Sequence, residues 1–414
     1  MKRNVVRPWL PLLIMGLASS CRSTAVATHP LEGEERIADR GGNPAGGGSD
    51  GDAPSCEMVD ADYGPDGTVP VRAETVVSGL TVPWAIAFLP DGAMLVTERI
   101  GRLRLVEKGE LVEKPVMTVP YPTGGFGEGG LLGLALHPDF AKNRLFYVYY
   151  SFAKAGGIRN RVERFRLSED HRSATTDRVI LDDLPGHPFH DSGRIHVGPD
   201  KMLYVGVGDS GEPKLAQDPN ARNGKLLRIN LDGGIPDDNP VRGNPLFLLG
   251  VRNTEGFDWL DPKTLIIADH GPSGDLGRTG LDEVNIARKG DNLGWPTISG
   301  CAVEKGMVTP VLSWKLAVPP GGLVIDRSGA IPQWKGSVIM GTLGSRHLHR
   351  VVLDSKHRVE KHEVYFRGDP PQGLGRLREV IVGPDNQLYV TTSNCDGRGT
   401  CPPDRDKILR IVPK

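Results

Sequence analysis

The chain carries almost no net charge, because 50 lysine and arginine residues are balanced by 51 aspartate and glutamate residues. This balance gives no electrostatic basis for binding to nucleic acid or to an anionic membrane. No long segment repeats its apolar residues with a helical period, and only 6% of the residues are aromatic. Glycine (54 residues) and proline (34 residues) are abundant instead. This composition favours many short strands joined by tight turns over a helical protein.

An apolar run near the N-terminus, Trp9–Ala18, is too short to cross a bilayer. Basic residues precede it, and Ser19, Ser20 and Cys21 follow. This order predicts a signal peptide over residues 1–21. The cysteine after the small residues resembles that of a bacterial lipoprotein, although Ala18 departs from the usual pattern. Ordinary secretion with another cleavage point is the alternative. We therefore expect an exported protein, either periplasmic, attached to the outer membrane as a lipoprotein, or secreted.

The four remaining cysteines would lie in an oxidising compartment after export, where disulfides form. Cys395 and Cys401 flank the short loop CDGRGTC and could close it. Cys56 and Cys301 would then pair by elimination, although spacing alone establishes neither bridge. Residues 22–68 are rich in glycine, alanine, serine, proline and acids, with no hydrophobic period. Such a segment buries too little apolar surface to fold, and it predicts a flexible linker.

A pattern of paired apolar strands around a turn recurs six times from Val76 onward. In each copy a turn residue separates the first two strands, and these residues are Pro90, Pro138, Pro199, Pro262, Asp326 and Pro384. The pattern predicts an all-β domain over residues 69–414, a six-bladed β-propeller with four-stranded antiparallel blades. A β-sandwich would also have many short strands, but it would not explain six similar units.

Functional residues of propellers lie on loops around the central channel. His190, on the loop before the third blade, is a candidate general base, and Asp209 at the end of the adjoining strand could orient it. Glu128, in the glycine-rich loop before the second blade, could contact a ligand. A histidine or an acid in such a loop is more often only structural.

Three arginines, Arg252, Arg376 and Arg378, lie where blades begin, and alternation places Arg376 and Arg378 on one side of a strand. Together they suit a ligand that bears carboxylates, whereas any one alone would more often be a surface arginine. Carboxylates near the Gly271-Pro272 pair suit a hard cation such as calcium. No His/Cys cluster has the spacing of a zinc site.

Taken together, these segments resemble the soluble glucose and aldose sugar dehydrogenases that depend on pyrroloquinoline quinone (PQQ), the glucose/sorbosone dehydrogenase family. The resemblance covers roughly residues 76–412. It is carried, in order, by PWAIAFLPDG, GEGGLLGLALHPDF, HDSGRIHVGPD, GVGDSG, NGKLLRINLDGGIPDDNP, GVRNTEGFDW, ADHGP, DEVNIARKGDNLGWP and GRLREVIVGPDNQLYVTTSN. The family fold is a six-bladed propeller.

The resemblance implies a role for each matching residue. His190 would take the proton from the anomeric hydroxyl of an aldose, which is oxidised to a lactone, and Asp209 would hold His190. The residues implied to contact PQQ are Glu128, Arg252, Asn253, Arg376 and Arg378. The residues implied to bind calcium are Gly271, Pro272, Glu283 and Leu293, the last only through its carbonyl. An external acceptor would receive the electrons, and the protein would be a monomer or a homodimer.

Departures from the glucose-oxidising members favour the broader aldose type. Phe189 stands where those members have an acid, and their fifth-blade lysine is replaced near Gly344, with Arg346 close by. We expect Glu128 either to be protonated or to turn toward the sugar, since an ionised carboxylate suits an anionic cofactor poorly. The alternative functions are a non-catalytic binding propeller and a calcium-dependent lactonase.

Overall fold

The computed structural model describes residues 55–119, 127–154 and 157–414. The strands of these residues are, in chain order, β1 (Glu57–Val59), β2 (Val71–Leu80), β3 (Pro83–Phe88), β4 (Met94–Glu98), β5 (Arg102–Glu107), β6 (Glu110–Leu111), β7 (Met117–Thr118), β8 (Leu131–Leu136), β9 (Leu145–Lys154), β10 (Gly157–Leu167), β11 (Ala174–Pro185), β12 (Ile195–Val197), β13 (Leu203–Val207), β14 (Lys225–Ile229), β15 (Leu246–Leu249), β16 (Thr254–Asp261), β17 (Thr264–Asp269), β18 (Glu283–Arg288), β19 (Leu312–Trp314), β20 (Pro320–Ile325), β21 (Val338–Thr342), β22 (Leu348–Leu353), β23 (Val359–Tyr365), β24 (Leu377–Val382), β25 (Leu388–Thr392) and β26 (Asp406–Pro413). The short helix α1 (Phe140–Asn143) and three 3₁₀ turns (Pro213–Gln217, Asp275–Gly277 and Pro332–Trp334) are the helical elements of the described residues.

The strands form six antiparallel sheets arranged in a ring, so the predicted six-bladed β-propeller is confirmed. Blades 1, 2, 3 and 5 are continuous in sequence, and they consist of β3–β7, β8–β11, β12–β15 and β20–β23. Blade 4 consists of β16–β19, with β1 added parallel to β19. Blade 6 joins both ends of the domain, because β2 pairs with β26 beside β25 and β24. This pairing closes the ring and protects the edge of blade 6.

Each of the six predicted turn residues lies between the first and second strands of its blade. The turns have a simple local cause: proline fixes a turn dihedral, and an aspartate side chain accepts backbone N–H groups two residues on. In blade 1, for example, the Asp91 carboxylate accepts the N–H of Ala93 at 3.1 Å. The turn positions are therefore set by local sequence, independently of how the blades assemble.

The hydrophobic core lies between neighbouring blades, and many of their strands are buried throughout, such as β4, β13 and β21. Glycines let the innermost strands approach closely. A Cβ atom on Gly256 of β16 would lie 2.6 Å from the Gly321 carbonyl oxygen of β20, and one on Gly321 would lie 2.5 Å from the Arg378 carbonyl oxygen of β24. Because real Cβ atoms do not approach so closely, these positions admit only glycine at the present blade spacing.

The described end of the segment predicted as a linker, residues 55–68, is attached to the propeller. Both predicted disulfides are present, and Cys56–Cys301 ties this segment to blade 4 with a Cα–Cα distance of 5.5 Å. Next to it, β1 pairs with β19, and the carbonyl of Tyr63 accepts the indole N–H of Trp314 at 3.0 Å. The predicted signal peptide, Cys21 and the rest of the predicted linker lie outside the described residues. In the described part of the chain, no helix is long and apolar enough to cross a membrane.

Candidate active site

A cavity of about 210 Å³ lies at one mouth of the channel, where the loops before the innermost strands converge. Among the described residues, its charged lining consists of five arginines against three acids: Arg99, Arg252, Arg376, Arg378 and Arg398, and Glu128, Glu255 and Asp396. His190 and His270 also line it. A larger cavity of about 640 Å³ lies at the opposite ends of the same strands. We place the chemistry in the smaller cavity because it is lined by the arginines and by His190, the histidine of an acid–base pair.

His190 and Asp209 form the acid–base pair at this cavity. The Nδ1 atom of His190 lies 2.7 Å from Oδ1 of Asp209. The other carboxylate oxygen of Asp209 accepts the indole N–H of Trp295 at 2.8 Å. His190 is only 7% exposed and has a positive φ of 61°, a conformation that costs energy in a residue other than glycine. The ring is therefore held in one place by its surroundings.

Glu128 binds the backbone of His190. One oxygen of its carboxylate accepts the His190 N–H at 2.8 Å, and the other pairs with Arg398 at 2.9 Å. Burial opposes ionisation, but the His190 N–H bond and the charges of Arg398 and His270 outweigh it and lower the pKa of Glu128 to about 2. Glu128 is therefore ionised and paired. This arrangement differs from both expected ones, because an arginine on another loop neutralises the carboxylate.

Arg376 and Arg378 both line the cavity, and each is paired with a buried acid. Arg376 Nε donates to Asp396 Oδ2 at 2.7 Å, and Arg378 pairs with Glu255 of blade 4, which is separated from blade 6 by blade 5. Burial and the charge of Arg378 tend to lower the pKa of Arg376, but guanidinium groups remain charged in proteins. The two side chains thus form a fixed cationic wall.

Arg252 is 1% exposed and lies over the Trp295 ring, with its Cζ atom 5.4 Å from the ring centre. It pairs with Asp275, yet its buried Nε has no hydrogen-bond partner. A buried charged donor without a partner is costly, which points to a ligand acceptor at this position.

Asn253 follows Arg252, but its hydrogen bonds are made inside the protein rather than at the cavity. Its Oδ1 accepts the backbone N–H of Ser192 at 2.9 Å, and its own N–H donates to Asp269 at 2.7 Å. It is not among the described residues that line the cavity. Asn253 therefore supports the loop that carries His190.

The residues implied to bind calcium fall into two groups. Gly271 and Pro272 are buried between His270 and Ser273, which both line the cavity. A Cβ atom on Gly271 would lie 2.1 Å from the Gly280 carbonyl oxygen, so only glycine fits there. This backbone pair at the cavity wall is compatible with a cation held by carbonyl oxygens.

Glu283 and Leu293 are placed differently. Both carboxylate oxygens of Glu283 accept hydrogen bonds, from Gly300 at 2.6 Å and Asn285 at 3.2 Å. Burial, with the charge of Asp269, raises the pKa of Glu283 to about 8. Leu293 packs in the hydrophobic core between blades 3 and 4. Across the described residues, no three His, Cys, Asp or Glu side chains are placed to hold a metal ion together. This second calcium site stays a prediction.

The residues at the two departures from the glucose type also have defined positions. The Phe189 ring packs against His190 with a centroid distance of 4.7 Å and is 38% exposed. Gly344 lines the cavity, whereas Arg346 pairs with Asp369. The fifth blade therefore contributes no cation at Gly344.

The sequence did not indicate several residues of the site, among them Glu255, Trp295, Asp396 and Arg398. Asp396 and Arg398 lie in the CDGRGTC loop, whose charges could have drawn attention to it. Glu255 lies 123 residues from its partner Arg378, and no local pattern marks that contact.

A buried histidine–carboxylate pair beside an arginine-lined cavity, at one mouth of a six-bladed propeller, defines a class of protein: a propeller enzyme built for acid–base chemistry next to an anionic ligand. Comparison with known proteins gives the family. Residues 80–409 match the model of the family described as Glucose / Sorbosone dehydrogenase. The chain belongs to this family and is an oxidoreductase.

Relatives and solved structures agree with this assignment. The chain is 32% identical to the aldose sugar dehydrogenase YliI of Escherichia coli, over 83% of this chain and 93% of that protein. It is 33% identical to the PQQ-bound aldose sugar dehydrogenase of Streptomyces coelicolor, with a TM-score of 0.73 over 84% of this chain and 99% of that one. A Thermus thermophilus structure described as a glucose dehydrogenase is 42% identical, with a TM-score of 0.74 over 83% of this chain and all of that one.

Proposed function

We propose that the protein oxidises aldose sugars at the anomeric carbon to lactones, with PQQ and calcium as cofactors and an external electron acceptor. One observation carries the proposal: the His190–Asp209 pair opens onto a cavity lined by five arginines, including the unpartnered Nε of Arg252. A neutral sugar alone would not require several arginines at the cavity wall, whereas a polycarboxylate bound beside the sugar would.

Arg252, Arg376 and Arg378 are the side chains that would hold the carboxylates of PQQ. Planar guanidinium groups bind carboxylates through two parallel N–H donors, and burial strengthens these bonds. Glu255 and Asp396 keep the arginines in place before a ligand arrives. When bound there, PQQ would supply the redox chemistry as the acceptor of a hydride.

His190 is the residue proposed to move a proton. Since its Nδ1 faces the Asp209 carboxylate, Nδ1 carries the proton and Nε2 keeps the lone pair. Nε2 can then accept the proton of the anomeric hydroxyl while Asp209 stabilises the positive charge that forms on the ring. The Trp295 N–H prevents Asp209 from turning away.

The carbonyls of Gly271 and Pro272 are the groups proposed to hold calcium at the cavity wall. Calcium prefers oxygen ligands and accepts backbone carbonyls in an irregular geometry. Bound there, it would supply Lewis-acid polarisation of an oxygen of the cofactor.

The test is a titration of the purified, chelator-treated protein with PQQ, with and without calcium, followed by a sugar panel with a dye as acceptor. We expect a PQQ absorbance change, dye reduction with aldoses, and a lactone product. His190→Ala should abolish turnover and leave PQQ binding largely intact. The proposal fails if no aldose or polyol is oxidised after PQQ binding has been verified.

We also propose that the protein is exported and anchored through a lipid on Cys21. The two disulfides support export, since they form in oxidising compartments. Mass spectrometry of the mature N-terminus provides the test. A diacylated cysteine that disappears in Cys21→Ser is expected, whereas an unmodified N-terminus from cleavage elsewhere would contradict the anchor.

A further inference from the structure

The loop between β25 and β26 is closed on itself by the Cys395–Cys401 disulfide, with a Cα–Cα distance of 4.3 Å. We call residues 395–401 the disulfide loop. It brings two charged side chains of opposite sign, Asp396 and Arg398, to the wall of the cavity. Each contacts a different part of the candidate active site.

Asp396 organises the arginine pair. Its side chain is 1% exposed, and its Oδ2 accepts Arg376 Nε at 2.7 Å and lies 3.9 Å from Arg378 Nη2. Burial opposes ionisation, but the charges of Arg376 and Arg378 outweigh it and keep the pKa of Asp396 below its usual value. An ionised Asp396 between two like charges holds them side by side, where they would otherwise repel each other.

Arg398 acts on the histidine through Glu128. Its Nη1 lies 2.9 Å from Oε1 of Glu128, whose other oxygen accepts the backbone N–H of His190. Arg398 thereby lowers the cost of burying the Glu128 carboxylate, and the carboxylate fixes the strained backbone of His190. The three residues form one line of contacts from the disulfide loop to the proposed base.

The loop backbone also packs directly on the site. A Cβ atom on Gly399 would lie 2.8 Å from both Cδ of Arg376 and the carbonyl oxygen of Asn394. The backbone at this point can therefore lie against Arg376 only because residue 399 is glycine. A shift of the loop would move Asp396, Arg398 and the Arg376 side chain together.

We infer that the disulfide loop is a positioning element of the active site: Asp396 sets the arginine pair for the anionic cofactor, and Arg398, through Glu128, sets the backbone of His190. The ligand in this inference rests on the proposed function. The disulfide matters here mainly for local order, because a bridge that spans only six positions constrains the unfolded chain much less than a long-range bridge does. By contrast, Cys56–Cys301 spans 245 positions and lies away from the cavity lining.

The two disulfides therefore provide a matched pair of variants. We expect Cys395→Ser/Cys401→Ser to weaken PQQ binding by about tenfold or more, the scale seen when residues that orient binding groups are lost. The melting temperature of the PQQ-free protein should fall less than it does after loss of Cys56–Cys301. Cys56→Ser/Cys301→Ser should lower that melting temperature, since it releases the longer chain segment, and should leave the PQQ affinity within about twofold.

Single substitutions test the roles of Asp396 and Arg398 separately. Asp396→Asn should weaken PQQ binding about as much as loss of the Cys395–Cys401 bridge. Arg398→Gln should lower kcat more than it weakens PQQ binding, and Arg398→Lys should restore kcat because it keeps the charge beside Glu128. A purely structural role would lower the melting temperature and would not separate kcat from cofactor affinity.

The outcomes distinguish the two proposals. If the unaltered protein does not bind PQQ, the proposed function is wrong, and the role inferred for Asp396 is wrong with it. If it binds PQQ and the Cys395→Ser/Cys401→Ser and Asp396→Asn variants bind equally well, the inference about the loop alone is wrong. Equal loss of PQQ affinity in both disulfide variants would also overturn it.

Discussion

The imidazole of His190 and the carboxylate of Asp209 meet at 2.7 Å, although the two residues are 19 positions apart. In the sequence, His190 precedes strand β12 and Asp209 follows strand β13. Trp295 donates to the second oxygen of Asp209 from blade 4. Both oxygens of the carboxylate are thereby fixed, and the tautomer of His190 follows from the contact. The proposed base thus depends on two residues that would not touch a substrate.

Asp209→Asn tests the first of these contacts. An asparagine can present its amide N–H to Nδ1, which would move the ring proton to Nε2 and remove the lone pair from the cavity side. We expect kcat to fall by about 10²- to 10⁴-fold, as in other enzymes whose histidine loses its carboxylate partner. PQQ affinity should change little, because Asp209 is not among the described residues lining the cavity.

Asp200→Asn is the control for this variant, since Asp200 bonds to Tyr204 and Arg228 on the same blade, away from the cavity lining. It should leave kcat unchanged. A kcat for Asp209→Asn close to that of the unaltered protein would show that the pair does not direct the proton.

Trp295→Phe tests the second contact. Phenylalanine keeps a ring beneath Arg252 but lacks the N–H that holds Asp209. We expect a smaller loss of kcat than in Asp209→Asn, on the order of tenfold, the scale of outer hydrogen-bond partners in other sites. Steady-state kinetics with saturating PQQ measure it. An unchanged kcat in a variant that binds PQQ normally would mean that Asp209 needs no second support.

Arg378→Gln tests the ion pair across blades 4 and 6. The substitution leaves Glu255 buried without its partner, so the free energy of unfolding should fall by about 3–5 kcal/mol. Arg378→Gln/Glu255→Gln should recover much of that loss, because the double variant removes both charges. PQQ affinity should stay low in both. Denaturant unfolding and PQQ titration measure the two effects separately, and recovery of PQQ affinity in the double variant would contradict a direct role for Arg378.

Local chemistry explains which features could be predicted from the sequence. The six turns follow from proline and aspartate. His190 and Asp209 were predicted as a pair because both lie where strands of blade 3 begin or end. The two disulfide pairings were also correct.

Contacts between blades explain what could not be predicted. Glu255 meets Arg378, and Arg398 meets Glu128 across 270 positions, only after the ring has closed. In the sequence these acids resemble ordinary solvated charges. The ionised state of Glu128 depends on the same closure, because Arg398 arrives from a distant loop. The sequence also does not indicate the direction of the Asn253 side chain, whose carboxamide oxygen accepts the backbone N–H of Ser192.

A cluster of three buried histidines lies in blade 5, outside the described lining of the cavity. His347 Nε2 lies 3.0 Å from His349 Nδ1, and the His349 ring stacks on His362 at 5.3 Å. The buried atoms His349 Nε2 and His362 Nδ1 have no hydrogen-bond partner. The groups that face the cluster are Glu57, 3.3 Å from His362, and Tyr63, Trp314, Asp62, Arg367 and Glu363.

Burial lowers the pKa of all three histidines, to about 4 for His347 and well below the ordinary value for His349. At these three histidines the unfolded chain therefore binds more protons than the folded one once the pH falls below about 6.5. Each such histidine should destabilise the fold by about 1.4 kcal/mol per pH unit between its unfolded and folded pKa values. The cluster should therefore steepen the fall of melting temperature between about pH 6.5 and about pH 4.5, whereas buried acids with a raised pKa, such as Glu283, act in the opposite direction.

His349→Gln should flatten this dependence, because glutamine cannot take up a proton, even if it lowers the melting temperature at neutral pH by losing ring packing. The control is His357→Asn, at a turn outside the cluster with a positive φ that asparagine tolerates. It should keep the slope of the unaltered protein. The quantity to compare is the slope of melting temperature against pH. His349 is fully buried, so in acid it should take up a proton when the chain unfolds. If the slope in His349→Gln is as steep as in the control, the acid sensitivity comes from other residues.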